Sequence, residues 1–263
     1  MKQGPAFATA VCRARDLIAE LQIEDPSEIE VEKIAALKRA PVRYADIRGC
    51  DGHMSRSEKS AIITVRASIE RLGQRRFVVA HELGHVLMHP VARQVDEVDE
   101  KQTRNFSLKQ KPEEMEANYF AAELLMPHPM FARDAAGLEP SWDSMEALAD
   151  RYRTTYSSTA IQYLRCTKES VVLAASDSGA RTWFAFSEYG RDFFLVEATR
   201  IHRYTCANEL LESDKTRSRA DDVPAGAWFD GFDPDGKACV VEDSMRARGS
   251  RFVLSLIWVR DDI

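Results

Sequence analysis

The chain has 263 residues, 44% of them hydrophobic and 30% charged, with a formal net charge of −6. Those are the proportions of an ordinary folded protein with room for one large domain or two to three small ones, and nothing approaches the roughly 20 apolar residues of a membrane span. Residues 1–166 hold 23 basic and 25 acidic side chains and the remainder 13 and 17, so the two parts are −2 and −4 and neither is a basic, DNA-binding module.

In chain order, Phe7, Val11, Leu17, Ile18 and Leu21 recur at helical intervals, while Arg13, Arg15 and Asp16 interrupt the apolar run. This predicts a first amphipathic helix and not a signal peptide. "VEKIAALK" (31–38) reads as a short helix, and "APVRYADIR" (40–48) and "SAIITVR" (60–66) as strands. Residues 74–89 form a helix stopped by Pro90, and the polar stretch 91–111 an exposed connection. Pro112 opens the next helix, which Pro127 closes. "SMEALADRYR" and "SSTAIQYLR" are two further helices around "TTY", with Ser157 or Ser158 as N-cap. The last hundred residues change texture. "SVVLAAS", "RTWFAFSE", "DFFLVEATRI", "KACVVED" and "RFVLSLIWVRD" are strand-like, "DSGA" is a hairpin turn and "CANELLES" a helix, which predicts a separate small antiparallel sheet. Five cysteines, odd in number and without a C-x-x-C pair, suit reduced thiols in a cytoplasm. Oxidation sensing by Cys206 or Cys239 is set against the commoner role of a packing residue.

The densest chemistry lies in "RRFVVAHELGHVLMHP" (75–90). Residues four apart share a helix face, so His81 and His85 point the same way. Glu82 sits about 100° from His81, on the flank of that sector. Two neutral imidazoles can hold one zinc ion while the glutamate reaches the water on the ion. A third protein ligand is then expected. The candidates are Glu113, Glu114, Glu116 and Glu123 in "PEEMEANYFAAELLMP". Around this helix Ala117, Asn118, Ala121, Ala122 and Leu125 lie within about 80° of Glu114, a stripe suited to close packing. A carboxylate facing such a stripe needs a partner, and a metal would supply one. Glu114 is therefore the preferred ligand, with Glu113 and Glu116 as alternatives, and Asn118 would hydrogen-bond its carboxylate. Glu116 and Glu123, on the far side with Tyr119, read as solvated. His89 has three open roles: a fourth ligand, a transition-state donor, or, as favoured, a residue satisfying free carbonyls at the helix end.

"RRFVVAHELGHVLMH" followed by "EEMEANYFAAELLMP" resembles the ImmA/IrrE family of zinc metallopeptidases, almost letter for letter. "PSEIEVEKIAALKRAPVRYADI" and "LADRYRTTYSSTAIQYLR" resemble the segments flanking that core, and the C-terminal part more loosely resembles the GAF-like region of the longer IrrE-type members. The resemblance implies an α+β chain: a zincin-like metallopeptidase domain with its H-E-x-x-H helix and a small antiparallel sheet over 1–140, a helix-turn-helix-like segment over 141–166, and a GAF-like sensor or regulatory domain over 167–263. It implies His81, His85 and Glu114 as ligands of one Zn2+ per chain, with Mn2+ as an alternative divalent ion, and Glu82 as general base.

The implied function is an intracellular, cytoplasmic endopeptidase that cleaves a helix-turn-helix repressor in a stress or mobile-element response. Tyr119, Tyr152, Tyr156 and His89 are candidates for a donor to the developing oxyanion. "SAIITVR" is expected to be an edge strand that pairs with substrate. Two rival readings are a DNA-binding or antirepressor protein acting through residues 144–165 without proteolysis, and a ligand or redox sensor with an inert protease half. "SSTAIQYLR" contributes only Arg165 as a basic residue, which weakens the first, and intact His81, Glu82 and His85 weaken the second.

Overall fold

The computed structural model describes residues 5–57, 59–89, 111–193, 195, 201–247 and 252–260. The chain is α+β and divides into two compact units. The first comprises Met1–Met130 and Ala149–Thr155, the second Phe131–Leu148 and Tyr156–Ile263. The sequence pattern divides at 140 and 166, whereas packing leaves the first unit after residue 130 and returns to it for seven residues.

In the first unit, helix α1 (Pro5–Glu20) buries Ala10, Ala14, Leu17 and Ile18 along one stripe. Helix α2 (Val31–Leu37) follows, then strands β1 (Val42–Ala45), β2 (Gly52–Arg56) and β3 (Ala61–Arg66). Helix α3 (Leu72–Met88) carries the histidines and helix α4 (Pro112–Leu125) the glutamates. The sheet order is β1-β3-β2, with β1 parallel and β2 antiparallel to β3. The sheet is thus mixed, where an antiparallel one was expected. "SAIITVR" is also its middle strand, not an edge, because alternate apolar residues Ala61, Ile63 and Val65 are buried in the core and both backbone flanks are paired. The edges are β1 and β2, and β2, "GHMSR", is a segment whose poor β-propensity hides it in the sequence.

The core of this unit joins Leu17, Ile63, Val79, Leu83, Phe120 and Leu124, which draws α1, the sheet, α3 and α4 around one centre. Glu123 lies inside it, fully buried, where a solvated acid was expected. Its Oε1 accepts from Arg15 Nε at 2.8 Å and from the backbone N–H of His128 at 3.2 Å, so α1 neutralises it from 108 residues away. Arg76 is also buried and donates from Nη1 to Ile29 O at 2.9 Å, fixing α3 to the turn before α2. Burial pulls its pKa down to about 10.

Helices α5 (His128–Ala135), α6 (Trp142–Tyr152) and α7 (Tyr156–Leu164) come next, the first of them unforeseen. Helix α7 begins at Tyr156, so Ser157 and Ser158 lie in its first turn and not at a cap. In the second unit β4 (Ser170–Asp177), β5 (Ala180–Phe186), β6 (Asp221–Pro224), β7 (Cys239–Arg246) and β8 (Val253–Val259) form an antiparallel sheet of order β5-β4-β8-β7-β6. The expected turn at "DSGA" joins β4 to β5, with φ of 52° at Ser178 and 82° at Gly179, as a two-residue hairpin of the primed type requires. Most of the expected strand at 192–201 lies outside the described residues; Leu195 forms an isolated bridge with Phe229.

Helix α8 (Cys206–Leu211) sits on the core of this sheet and is held by Glu242 of β7. Glu242 is fully buried. Its Oε1 accepts from Ala207 N and Ser244 Oγ, both at 2.8 Å, and its Oε2 from Cys206 N at 3.0 Å and Trp228 Nε1 at 2.9 Å. Burial pushes this carboxyl's pKa up while the four donors pull it back. Cys206 is buried in the same place, and its thiol is pushed up to about 12, which suits packing and not redox sensing. Among the described residues no helix is long and apolar enough to cross a membrane.

Candidate metal centre

The site lies wholly in the first unit, between α3 and α4. Close approach of the two helices depends on Gly84. A methyl group there would lie 3.1 Å from Phe120 Cδ1 and 3.3 Å from Ala117 Cα. Of the stripe read from the sequence, Ala117 and Asn118 thus meet α3, joined by Phe120 from beside it. From above, β2 approaches through Gly52, where a Cβ would meet Val78 Cγ1 at 2.4 Å and Glu82 Cγ at 3.6 Å. Arg56 Nη2 donates to Val86 O and ties the far end of β2 to the last turn of α3.

His81, His85 and Glu114 converge, each offering one ligand atom, all within 4.8 Å of one another. His81 Nε2 is 3.1 Å from His85 Nε2 and 3.2 Å from Glu114 Oε2, and His85 Nε2 is 3.4 Å from Glu114 Oε1. Neighbouring donors on a tetrahedral zinc, with bonds of about 2.0–2.1 Å, lie roughly 3.3–3.4 Å apart. The two imidazole nitrogens and the Glu114 carboxylate lie at distances close to this, His81 facing Oε2 and His85 facing Oε1. The donor chemistry fits as well. Asn118 Oδ1, 2.9 Å away, can accept from His81 Nδ1, which leaves Nε2 to bind a metal ion in place of the proton it shares with Glu114. Two imidazole nitrogens and a carboxylate drawn this close call for a cation, a proton or a metal ion, among them.

What Asn118 orients is therefore the imidazole of His81, where the sequence reading had it orient Glu114. Glu82 is buried beside the three, close enough to interact with the charges of His81, His85 and Glu114. Burial pushes its carboxyl above the ordinary glutamate range, and the histidines oppose that push. Burial likewise opposes charge on His81, but its hydrogen bond to Glu114 and the nearby carboxylates outweigh this and raise its pKa. Glu114 is held well below the usual range, because its bonds to both histidines overcome its own burial.

The other named residues are dispersed. Tyr119 packs edge-on against Phe7 of α1, with ring centroids 4.9 Å apart. Tyr152 is fully buried in the first unit, and Tyr156 belongs to the second. His89 follows the last residue of α3; its ring lies between His85 and Glu116, 2.9 Å from each. Glu116, expected in solvent, is thus partnered inside the site. Helix angle alone missed this because His89 stands beyond the end of α3, where a long side chain on the flank of α4 can meet it. Among the described residues His53 sits on β2 and His128 opens α5, and neither belongs to the three-residue cluster.

A helix pair bearing two histidines at i, i+4, a facing carboxylate and a buried glutamate between the histidines is an arrangement that could hold a metal ion, as a domain of metallopeptidase type would. Residues 39–163 match the family model for peptidase M78, described as the IrrE N-terminal-like domain. No curated protein matches the chain. Among solved structures it is similar to a Mycobacterium tuberculosis transcriptional regulator, with a TM-score of 0.60 and 14% identity over 95% of this chain and 76% of the other. At that identity the likeness is one of fold.

Proposed function

We propose that the chain is a zinc-dependent endopeptidase that cleaves a helix-turn-helix repressor and so relieves repression. The observation that carries the reading is the convergence of His81 Nε2, His85 Nε2 and the Glu114 carboxylate beside the buried carboxyl group of Glu82. His81, His85 and Glu114 would hold one divalent ion, zinc by the N/N/O donor set and its spacing, or Mn2+ in its place. When bound, the ion supplies Lewis acidity toward a peptide carbonyl and toward water. Glu82 takes a proton from the attacking water on its carboxylate and delivers it to the leaving amine. Burial raises its pKa, which strengthens it as the base. Asn118 keeps His81 in its ligating tautomer. The outer edge of β2, over Glu82 at Gly52, is the place where an extended substrate segment would add as a strand.

The regulatory part of the reading draws on the family match and on the neighbour's title as a transcriptional regulator. Direct DNA recognition is the weaker alternative. Helix α7 buries Thr159, Ala160, Gln162, Tyr163 and Leu164, which leaves little face for a groove, and the chain is acidic throughout. A cytoplasmic setting follows from the same reading, in which the substrate is itself a DNA-bound repressor. The experiment is incubation of zinc-loaded protein with the helix-turn-helix repressor encoded nearest its gene, with fragments identified by mass. Defined fragments that vanish on chelation support the reading; an intact repressor that nonetheless leaves its operator points to antirepression by binding.

A further inference from the structure

We propose that His89 and Glu116 form a proton-ordered relay that fixes His85 as a metal ligand. This rests on the reading of His81, His85 and Glu114 as a metal centre. A neutral imidazole carries one N–H and one lone pair. His85 turns Nε2 toward His81 and Glu114, so the proton of a ligating His85 must sit on Nδ1. That nitrogen is 2.9 Å from His89 Nδ1, which must then accept. His89 in turn carries its proton on Nε2, and Nε2 is 2.9 Å from Glu116 Oε2. A carboxylate only accepts when ionised, so the chain of donors runs one way, from His85 through His89 to Glu116.

The opposite order is the one that defeats metal binding. With no acceptor at 116, His89 is free to put its proton on Nδ1, against His85. His85 then keeps its proton on Nε2 and loses the lone pair that faces the site. His81 reaches the same end in one link, through Asn118 Oδ1. His85 needs two because its Nδ1 points along α3 toward the helix end and meets the ring of His89 at 2.9 Å. His89 and Glu116 are positioning residues in this account. Partners of ligating histidines are typically worth about 10–100-fold in metal affinity.

The test is zinc affinity of the full chain, measured by competition with a chromophoric chelator. His89→Phe and Glu116→Leu should each weaken zinc binding about 10–100-fold. His89→Gln, whose amide oxygen can accept from His85 Nδ1, should recover most of the loss. Ring nitrogen shifts in the zinc-loaded parent should show His89 protonated at Nε2, and Glu116→Leu should mix the tautomers, which a purely structural role would not produce. Affinities within about twofold of the parent in both variants overturn the relay. If His89→Phe fails to fold, Glu116→Leu, at a partly exposed position, decides alone. A parent that binds no zinc overturns the metal centre itself and the relay with it, a result separate from a parent that binds while its variants are unchanged.

Discussion

Glu113 and Glu114 are adjacent acids in the first turn of α4, yet the structure gives them different chemistry. Glu114 spans His81 and His85 and completes the three-residue cluster, which does not include Glu113. Glu114→Ala should therefore strip the metal from purified protein, measured by atomic absorption, while Glu113→Ala keeps it. Full retention by Glu114→Ala would remove that residue from the ligand set. This choice was legible in the sequence because it depends only on angles around one helix. The pairs His89 with Glu116 and Arg15 with Glu123 were not, since each joins two elements whose crossing no periodicity records. Angle alone put both acids in water; a side chain from outside α4 holds each of them in place.

Among the elements, α3 and α4 decide the site, and Gly84 decides how near they come. Gly84→Ala would gain about 1 kcal/mol of helix propensity. Against that, its methyl would press on Phe120 and Ala117, and overpacking typically costs about 1–3 kcal/mol. The second effect should win, with a net loss of up to about 2 kcal/mol in thermal denaturation. Glu114, one turn before Ala117, would be moved from the histidines, so zinc affinity should fall as well. An unchanged affinity together with a higher melting temperature would show that the contact does not set the site. Strong helices such as α3 and α4 were readable from caps, prolines and spacing. Strand β2 was not, because Gly52, His53 and Ser55 lack the β-branched character that betrays a strand; the pairing of its backbone with β3 makes it one. The same reason made β3 look like an edge when it is the centre.

At the scale of the whole molecule, the first unit holds the candidate metal centre and the second a separately cored antiparallel sheet. The texture change near residue 167 announced that sheet, but not that α5 and most of α6 pack with it. Trp142 shows why: its backbone N–H donates to Asp243 Oδ2 at 2.7 Å and its Nε1 to Asp243 O at 3.0 Å, 101 residues on. In this unit Glu242→Gln should cost about 2–4 kcal/mol in chemical denaturation, because an amide nitrogen in place of either oxygen faces two donors and leaves them unsatisfied. A loss under 0.5 kcal/mol would mean that the four bonds do not hold α8.

The central claim is that the buried acid between the histidines performs chemistry and is not merely part of a metal-binding scaffold. Glu82→Gln preserves size and hydrogen bonding and removes only the base. Parent and variant should be compared side by side for zinc content and for the rate at which the repressor is cut. The variant should carry equal zinc, keep its fold and cut about 10²–10⁴-fold more slowly. Equal cutting by the two proteins, or relief of repression in cells by a variant that cuts nothing, would contradict it.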